Sequence, residues 1–135
     1  PLRTKEDIKN AVELVIKHNA DSIISVSSSP VHPYLMKQIN EEGMLSDFVE
    51  KREGYLPRQI HPPVYYVNGA IYLIKTGVIL EKRTFYPECT FPYIMPFERS
   101  LDIDTPWDFY LGNLVLQDKF IREDPKNKLY QENQK

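Results

Sequence analysis

The stretch Thr4-Lys5-Glu6-Asp7-Ile8-Lys9-Asn10-Ala11-Val12-Glu13-Leu14-Val15-Ile16-Lys17-His18-Asn19-Ala20-Asp21-Ser22-Ile23-Ile24-Ser25-Val26 decides the fold class. Thr4 can cap a helix, and Asp7 stands three residues later, a variant of the capping box. Ile8, Ala11, Val12, Val15 and Ile16 recur at helical spacing, which predicts an amphipathic helix from Thr4 to roughly Lys17 with those residues facing the core. Asn19 is placed to stop it, because asparagine tolerates the left-handed conformation of a helix end. Ser22 to Val26 is a short apolar run with β-branched residues and predicts a buried strand. Helix followed by buried strand is the rhythm of an α/β fold with a parallel sheet.

Working outward, Pro30 and Pro33 interrupt the pattern. Leu35 to Ile39 and Met44 to Val49 flank Glu41-Glu42-Gly43, the signature of a hairpin. Lys51 to Pro63 carries charge, Gly54 and three prolines, and predicts a long loop. Tyr65 to Ile74 is strand-like, interrupted by Asn68-Gly69, where a glycine marks a bulge or a close approach. Val78 to Lys82 predicts a short helix, and Phe91 to Met95 a strand closed by Pro96. Thr105 opens a final helix, with Pro106 at its first position and Asp108 three residues after the cap. Phe109, Leu111, Leu114, Val115 and Phe120 are its candidates for burial. After Arg122 the chain is polar, so the expected organisation is one domain over residues 1–122 and a frayed tail over 123–135.

Composition narrows the function classes. A length of 135 residues suits a single domain. Hydrophobic residues at 41% and charged residues at 27% supply a core and argue against general disorder. Lys and Arg total 17 against 19 Asp and Glu, and this near-balance argues against a nucleic-acid or membrane-surface binder, which needs a basic excess. The single cysteine, Cys89, excludes a disulfide framework within the chain and a cysteine-based zinc site. No apolar run approaches the roughly 20 residues of a membrane span. No basic-then-apolar leader is visible, and a reduced, cytoplasmic setting is expected. The opening Pro1-Leu2-Arg3-Thr4 has no initiator Met; removal of a Met before Pro is the plain explanation, and a fragment that starts midway through a domain is the favoured expectation.

Four groups of residues can carry chemistry. In Ser100-Leu101-Asp102-Ile103-Asp104-Thr105, alternation along an extended segment puts Asp102 and Asp104 on one face. Two carboxylates there repel unless a cation lies between them. Mg²⁺ is the candidate, since one or two carboxylates plus substrate phosphates hold it. The helix after Thr105 would turn its N-terminal amides toward nearby anions. Solvated loop acids beside a cap are the plain alternative. Arg58, in Leu56-Pro57-Arg58-Gln59, suits a bidentate clamp on a carboxylate or phosphate, or is an exposed loop arginine. In Asn68-Gly69-Ala70-Ile71-Tyr72, Asn68 offers donor and acceptor, Gly69 close approach, and Tyr72 a ring with a hydroxyl; an ordinary bulged strand is the alternative. Phe85-Tyr86 is an aromatic pair that could equally be core. His18, His32 and His61 lack metal-ligand spacing, and no glycine-rich phosphate loop or serine nucleophile elbow is present.

Taken together, Pro1-Leu2-Arg3-Thr4, Pro57-Arg58-Gln59, Asn68-Gly69-Ala70-Ile71-Tyr72 and Ser100-Leu101-Asp102-Ile103-Asp104-Thr105 stand in the order and at about the spacing seen in acylneuraminate cytidylyltransferases. The chain resembles that family, the CMP-sialic acid synthetases, from Pro1 to about Leu116. The resemblance implies a Rossmann-like nucleotidyltransferase α/β sandwich with a small dimerisation element, matched by residues about 44–63, and hence a homodimer. It implies transfer of CMP from CTP to the anomeric hydroxyl of a nonulosonic (sialic-type) acid, with Mg²⁺ as cofactor and pyrophosphate released. Asp102 and Asp104 would be metal ligands, and Arg58, with Gln59 beside it, would hold the sugar-acid carboxylate. Asn68 and Tyr72 would line the sugar pocket, while Phe85 and Tyr86 match aromatics that the family lends across the dimer. The family's N-terminal strand and its Gly-, Lys- and Arg-containing CTP loop have no counterpart here, so the chain is expected not to turn over CTP alone. A non-catalytic sugar-acid binding or dimerisation module derived from the same fold is the competing expectation.

Overall fold

The computed structural model describes residues 2–49 and 62–117. The expectations that fall on Arg58, Gln59, Phe120, most of the 44–63 segment and the 123–135 tail therefore lie outside the described residues. The elements are α1 (Lys5–His18), β1 (Ser22–Ser28), β2 (Lys37–Ile39), β3 (Leu45–Asp47), β4 (Tyr65–Ile74), α2 (Thr76–Lys82), β5 (Thr90–Ile94) and α3 (Pro106–Gln117). The chain divides into two units, Pro1–Ser27 with Val67–Lys135, and Ser28–Tyr66.

The first unit is built on a three-stranded sheet in the order β4-β1-β5. β1 and β5 are parallel, in register from Ser22 opposite Thr90 to Val26 opposite Ile94. β4 runs the other way along β1: the Lys75 amide donates to the Asp21 carbonyl at 3.0 Å, and the Ile71 amide to Ser25 Oγ at 2.7 Å. The sheet is thus mixed and not purely parallel as the helix–strand rhythm suggests; an antiparallel neighbour needs no crossover helix. The α/β class stands, and the arrangement fits a Rossmann-like sandwich. Ala11, Ala20, Ile23, Ile71 and Met95 form the core, with Leu14, Val15, Leu73 and Phe91 packed against it.

α1 has the predicted limits for a local reason. Thr4 Oγ1 accepts the Asp7 amide at 3.2 Å, and the Asp7 carboxylate accepts the Thr4 amide at 2.8 Å, completing the capping box. Asn19 ends the helix in the left-handed region, at φ 46°. The buried face is not the predicted one. Asp7 and Ala11 are buried and Leu14 and Val15 half-buried, while Ile8, Val12 and Ile16 are exposed. A small alanine lets the helix approach the sheet closely, and Asp7 is drawn inward by Arg99, whose Nη2 stands 2.7 Å from Asp7 Oδ1. That ion pair rotates the apolar stripe away from where spacing alone puts it.

α3 shows the same kind of departure. Phe109 and Leu114, expected to be buried, are exposed, whereas Gly112 is buried. A Cβ at Gly112 would stand 3.4 Å from Ile103 Cδ1 and 3.6 Å from Leu101 Cδ2. The helix therefore rests its one side-chain-free position on the segment that carries the two acids. No helix of the described residues is long and apolar enough to cross a membrane.

The second unit holds the predicted hairpin, shorter than expected. β2 and β3 pair antiparallel, with Lys37 opposite Asp47 and Ile39 opposite Leu45. Asn40 Oδ1 accepts the amides of Glu42 and Met44, and Gly43 takes φ +80° in the turn. A lysine–aspartate bridge between Lys37 and Asp47 closes the open end.

Candidate active site

The site begins at the interruption predicted within β4. Gly69 takes φ +67°, a left-handed conformation that costs other residues roughly 1–2 kcal/mol. A Cβ built there would lie 3.1 Å from Asp102 Oδ2. The bare glycine is thus a cradle for the carboxylate, and the two motifs that stand far apart in sequence meet at this point. Leu101 and Ile103 pack toward α3, while Asp102 and Asp104 are exposed.

Beneath the cradle lies a buried polar network. Asn68, 4% exposed, uses every hydrogen-bonding capacity of its amide within the chain. Its Nδ2 donates to Ser27 Oγ at 3.0 Å and Ser100 Oγ at 2.9 Å. Its Oδ1 accepts from Ser25 Oγ at 2.6 Å and from the Ala70 amide at 3.2 Å. The Ser27 and Ser100 hydroxyls are 2.5 Å apart, and Ser100 Oγ donates to the Pro96 carbonyl at 2.6 Å. Buried hydroxyls and amides are tolerated only when so paired.

To the amides just before α3 the chain supplies a carboxylate of its own. Asp108 Oδ2 accepts the amides of Asp104 at 3.3 Å and Thr105 at 2.8 Å, and also the Thr105 hydroxyl. Those amides are occupied by the chain's own carboxylate. The Thr105 hydroxyl and the amides of Thr105 and Asp104 hold the Asp108 carboxyl below its usual range. Neither Asp102 nor Asp104 forms an ion pair among the described residues. Nor, among them, does any group of three His, Cys, Asp or Glu side chains stand ready to hold a metal. Two solvent-facing carboxylates with no counter-charge among the described residues, one seated in a glycine cradle, fit Mg²⁺ as an ion whose remaining ligands are water and phosphate oxygens.

The aromatic residues are brought to the same end of β4. Arg83, at φ 49°, ends α2 and turns the chain, and the Phe85 carbonyl is pinned by Ser22 Oγ at 2.9 Å. Phe85 then meets Tyr72 edge to face, ring centroids 5.5 Å apart, within the same chain. Partial burial, a hydrogen bond with Tyr86 and the nearby charges of Tyr86 and Asp102 hold the Tyr72 phenol above its usual value, so it is a donor at neutral pH. Tyr72, Phe85, Tyr86, Gly69 and Asp102 therefore form one neighbourhood. A groove of about 460 Å³ lined by Asn10, Glu13, Leu14, Lys17 and Tyr93 shares none of these residues.

The chain is similar to known proteins along nearly its whole length. An N-acylneuraminate cytidylyltransferase of Streptococcus agalactiae serotype V is 37% identical over 134 residues, covering 98% of this chain and 32% of that protein. The chain is homologous to the acylneuraminate cytidylyltransferases. The CMP-N,N'-diacetyllegionaminic acid synthase of Legionella pneumophila is 32% identical over 120 residues, 87% of this chain and 50% of that protein. An N-acylneuraminate cytidylyltransferase of Escherichia coli O18:K1:H7 is 30% identical over 88% of this chain and 28% of its own length. The chain thus spans about a third of the streptococcal cytidylyltransferases and half of the Legionella synthase. No family model matches the chain.

Two features of this cytidylyltransferase homologue escape sequence reading. One is the Ser25–Ser27–Asn68–Ser100 network, whose only sequence signal is serine recurring in an otherwise apolar strand. The other is Asp7, which looks like a cap and is also a buried ion-pair partner. Arg99 Nε donates to Asp7 Oδ2 at 3.1 Å and Nη2 to Oδ1 at 2.7 Å, and the Tyr93 hydroxyl donates to Oδ1 at 3.0 Å.

Proposed function

We propose that this chain supplies the sugar-acid and metal side of CMP-sugar synthesis, in which CMP passes from CTP to the anomeric hydroxyl of a nonulosonic acid and pyrophosphate leaves. The observation that carries the reading is the seating of Asp102 against Gly69 beside Tyr72, in a chain homologous to cytidylyltransferases. In this reading Asp102 and Asp104 hold Mg²⁺, which when bound neutralises phosphate charge and lowers the pKa of the attacking hydroxyl. The Tyr72 phenol, protonated at neutral pH, donates to the sugar acid, and Phe85 and Tyr86 wall the pocket. Arg58 clamps the sugar-acid carboxylate, with Gln59 beside it. Asn68 shapes the pocket from below, since its amide is already filled. Positioning and charge do this work more than covalent chemistry. A homodimer built around residues 44–63 and a cytoplasmic setting, where CTP is available, complete the proposal.

The 135-residue chain alone is expected to form no CMP-sugar from CTP and N-acetylneuraminate. It is expected to gain several degrees of Tm with Mg²⁺ and CMP-N-acetylneuraminate together, since a ligand at 100 times its Kd stabilises by about 2.7 kcal/mol. A Tm unmoved by both, in a chain shown to be folded, would leave the non-catalytic module as the better reading.

A further inference from the structure

We infer that Ser100 and Gly69 are positioning residues for the acidic pair, and that the buried Ser27–Asn68–Ser100 network sets where Asp102 stands. The inference rests on the metal reading above and deepens it. Asp102 is exposed, and its only hydrogen bond among the described residues is a local one, from the Ile103 amide to Oδ1 at 3.1 Å. Nothing else among the described residues holds it at the surface. Its place is decided from below, at two points.

The first point is Ser100, two residues before it. Ser100 is 4% exposed and touches three partners: Asn68 Nδ2, Ser27 Oγ and the Pro96 carbonyl. It is where the acidic segment is pinned to β1 and β4. The second point is Gly69, which directly follows the network's Asn68 and lies under the carboxylate with no Cβ between. Asn68 holds both at once: Oδ1 accepts the Ala70 amide just past Gly69, and Nδ2 reaches Ser100. One side chain thus ties the floor of the cradle to the anchor of the acid it receives. Groups that orient a metal ligand are worth about 10- to 100-fold in metal affinity when removed.

Mn²⁺ serves as the probe, with binding read from paramagnetic broadening of the Gly69, Asp102 and Asp104 amide resonances and stability from denaturant midpoints on the same samples. Tyr93→Phe is the control. It removes a hydroxyl that donates to Asp7 Oδ1 at 3.0 Å and, among the described residues, forms no hydrogen bond with the network. The expected result is a roughly 10-fold weaker Mn²⁺ affinity in Ser100→Ala and in Gly69→Ala, with Tyr93→Phe unchanged although its midpoint also falls. Gly69→Ala keeps every network side chain, so it tests the cradle even where Ser100→Ala folds poorly. Equal weakening in Tyr93→Phe and Ser100→Ala, or none in Ser100→Ala and Gly69→Ala, would overturn the positioning role and leave the metal reading intact. Absence of selective broadening at Asp102 and Asp104 in the unmodified chain would overturn both.

Discussion

Asp7 and the acidic segment Asp102–Asp108 start from the same local chemistry. Each has a threonine and, three residues on, an aspartate that closes a capping box. At the N-terminal end the tertiary fold adds Arg99 and Tyr93, and Asp7 becomes a buried charge with four side-chain and backbone partners. At the other end no cation arrives among the described residues, and Asp102 and Asp104 stay open to solvent. The causes of the Asp7 and Asp108 pKa shifts record the difference. For Asp7, burial pushes the value up, and the Arg99 and Thr4 hydrogen bonds with the Arg99 charge more than offset it, leaving the carboxyl below 3.8. For Asp108, at the surface, the Thr105 hydroxyl and amide lower the value first and the Asp104 amide adds to them, with no cation involved. An aspartate's role is thus set by which charge reaches it, not by its spacing from a cap.

The largest expected effect tests the closed end of this comparison. Asp7→Ala leaves the Arg99 guanidinium half-buried without its partner and removes the cap interaction, so a loss of about 3–5 kcal/mol is expected from denaturant unfolding. A loss below about 1 kcal/mol would show that solvent replaces Asp7 easily, and the contrast with Asp102 would collapse. The pH dependence sharpens the same point. Because the folded pKa of Asp7 lies below its unfolded value near 3.8, its contribution is full above that value. It is lost as pH falls through the lower folded value. An acid unfolding limb is therefore expected below about pH 4, and it should be shallower in Asp7→Ala.

The open end predicts the smallest change in stability. Asp102→Asn is expected to shift unfolding by no more than about 0.5 kcal/mol, since Asp102 is exposed and forms no ion pair among the described residues. Its visible effect should be on Tyr72, whose phenol is held up in part by the Asp102 charge and should titrate lower when followed by phenolate absorbance. A large destabilisation by Asp102→Asn would make that acid structural and remove the basis for a metal there.

Much of this was legible from neighbouring residues. Both capping boxes, the Asn19 stop, the hairpin turn at Gly43 and the left-handed glycine within β4 at Gly69 follow from interactions spanning four residues or fewer. Alternation put Asp102 and Asp104 on one face, and both are exposed in the folded chain. Such features depend on backbone preference and short-range hydrogen bonds, which short stretches of chain carry with them. Helix rotation was not legible. Ile8, Val12 and Ile16 satisfy helical periodicity as well as Ala11 and Val15 do, and the choice fell to an arginine 92 residues away from Asp7. The antiparallel placement of β4 likewise depends on how the chain returns to β1.

The candidate site divides along the same line. The residue types were readable: two acids, a glycine after an asparagine, a tyrosine and an aromatic pair. Only the folded chain puts Asp102 on Gly69, Phe85 on Tyr72 and Asn68 between Ser27 and Ser100, with partners 13 to 41 positions apart. Local order is decided by torsional preference and nearby donors and acceptors, so a few letters suffice. Encounters between distant segments are decided by which buried polar groups and charges must find partners once the core closes, and that requirement exists only in three dimensions.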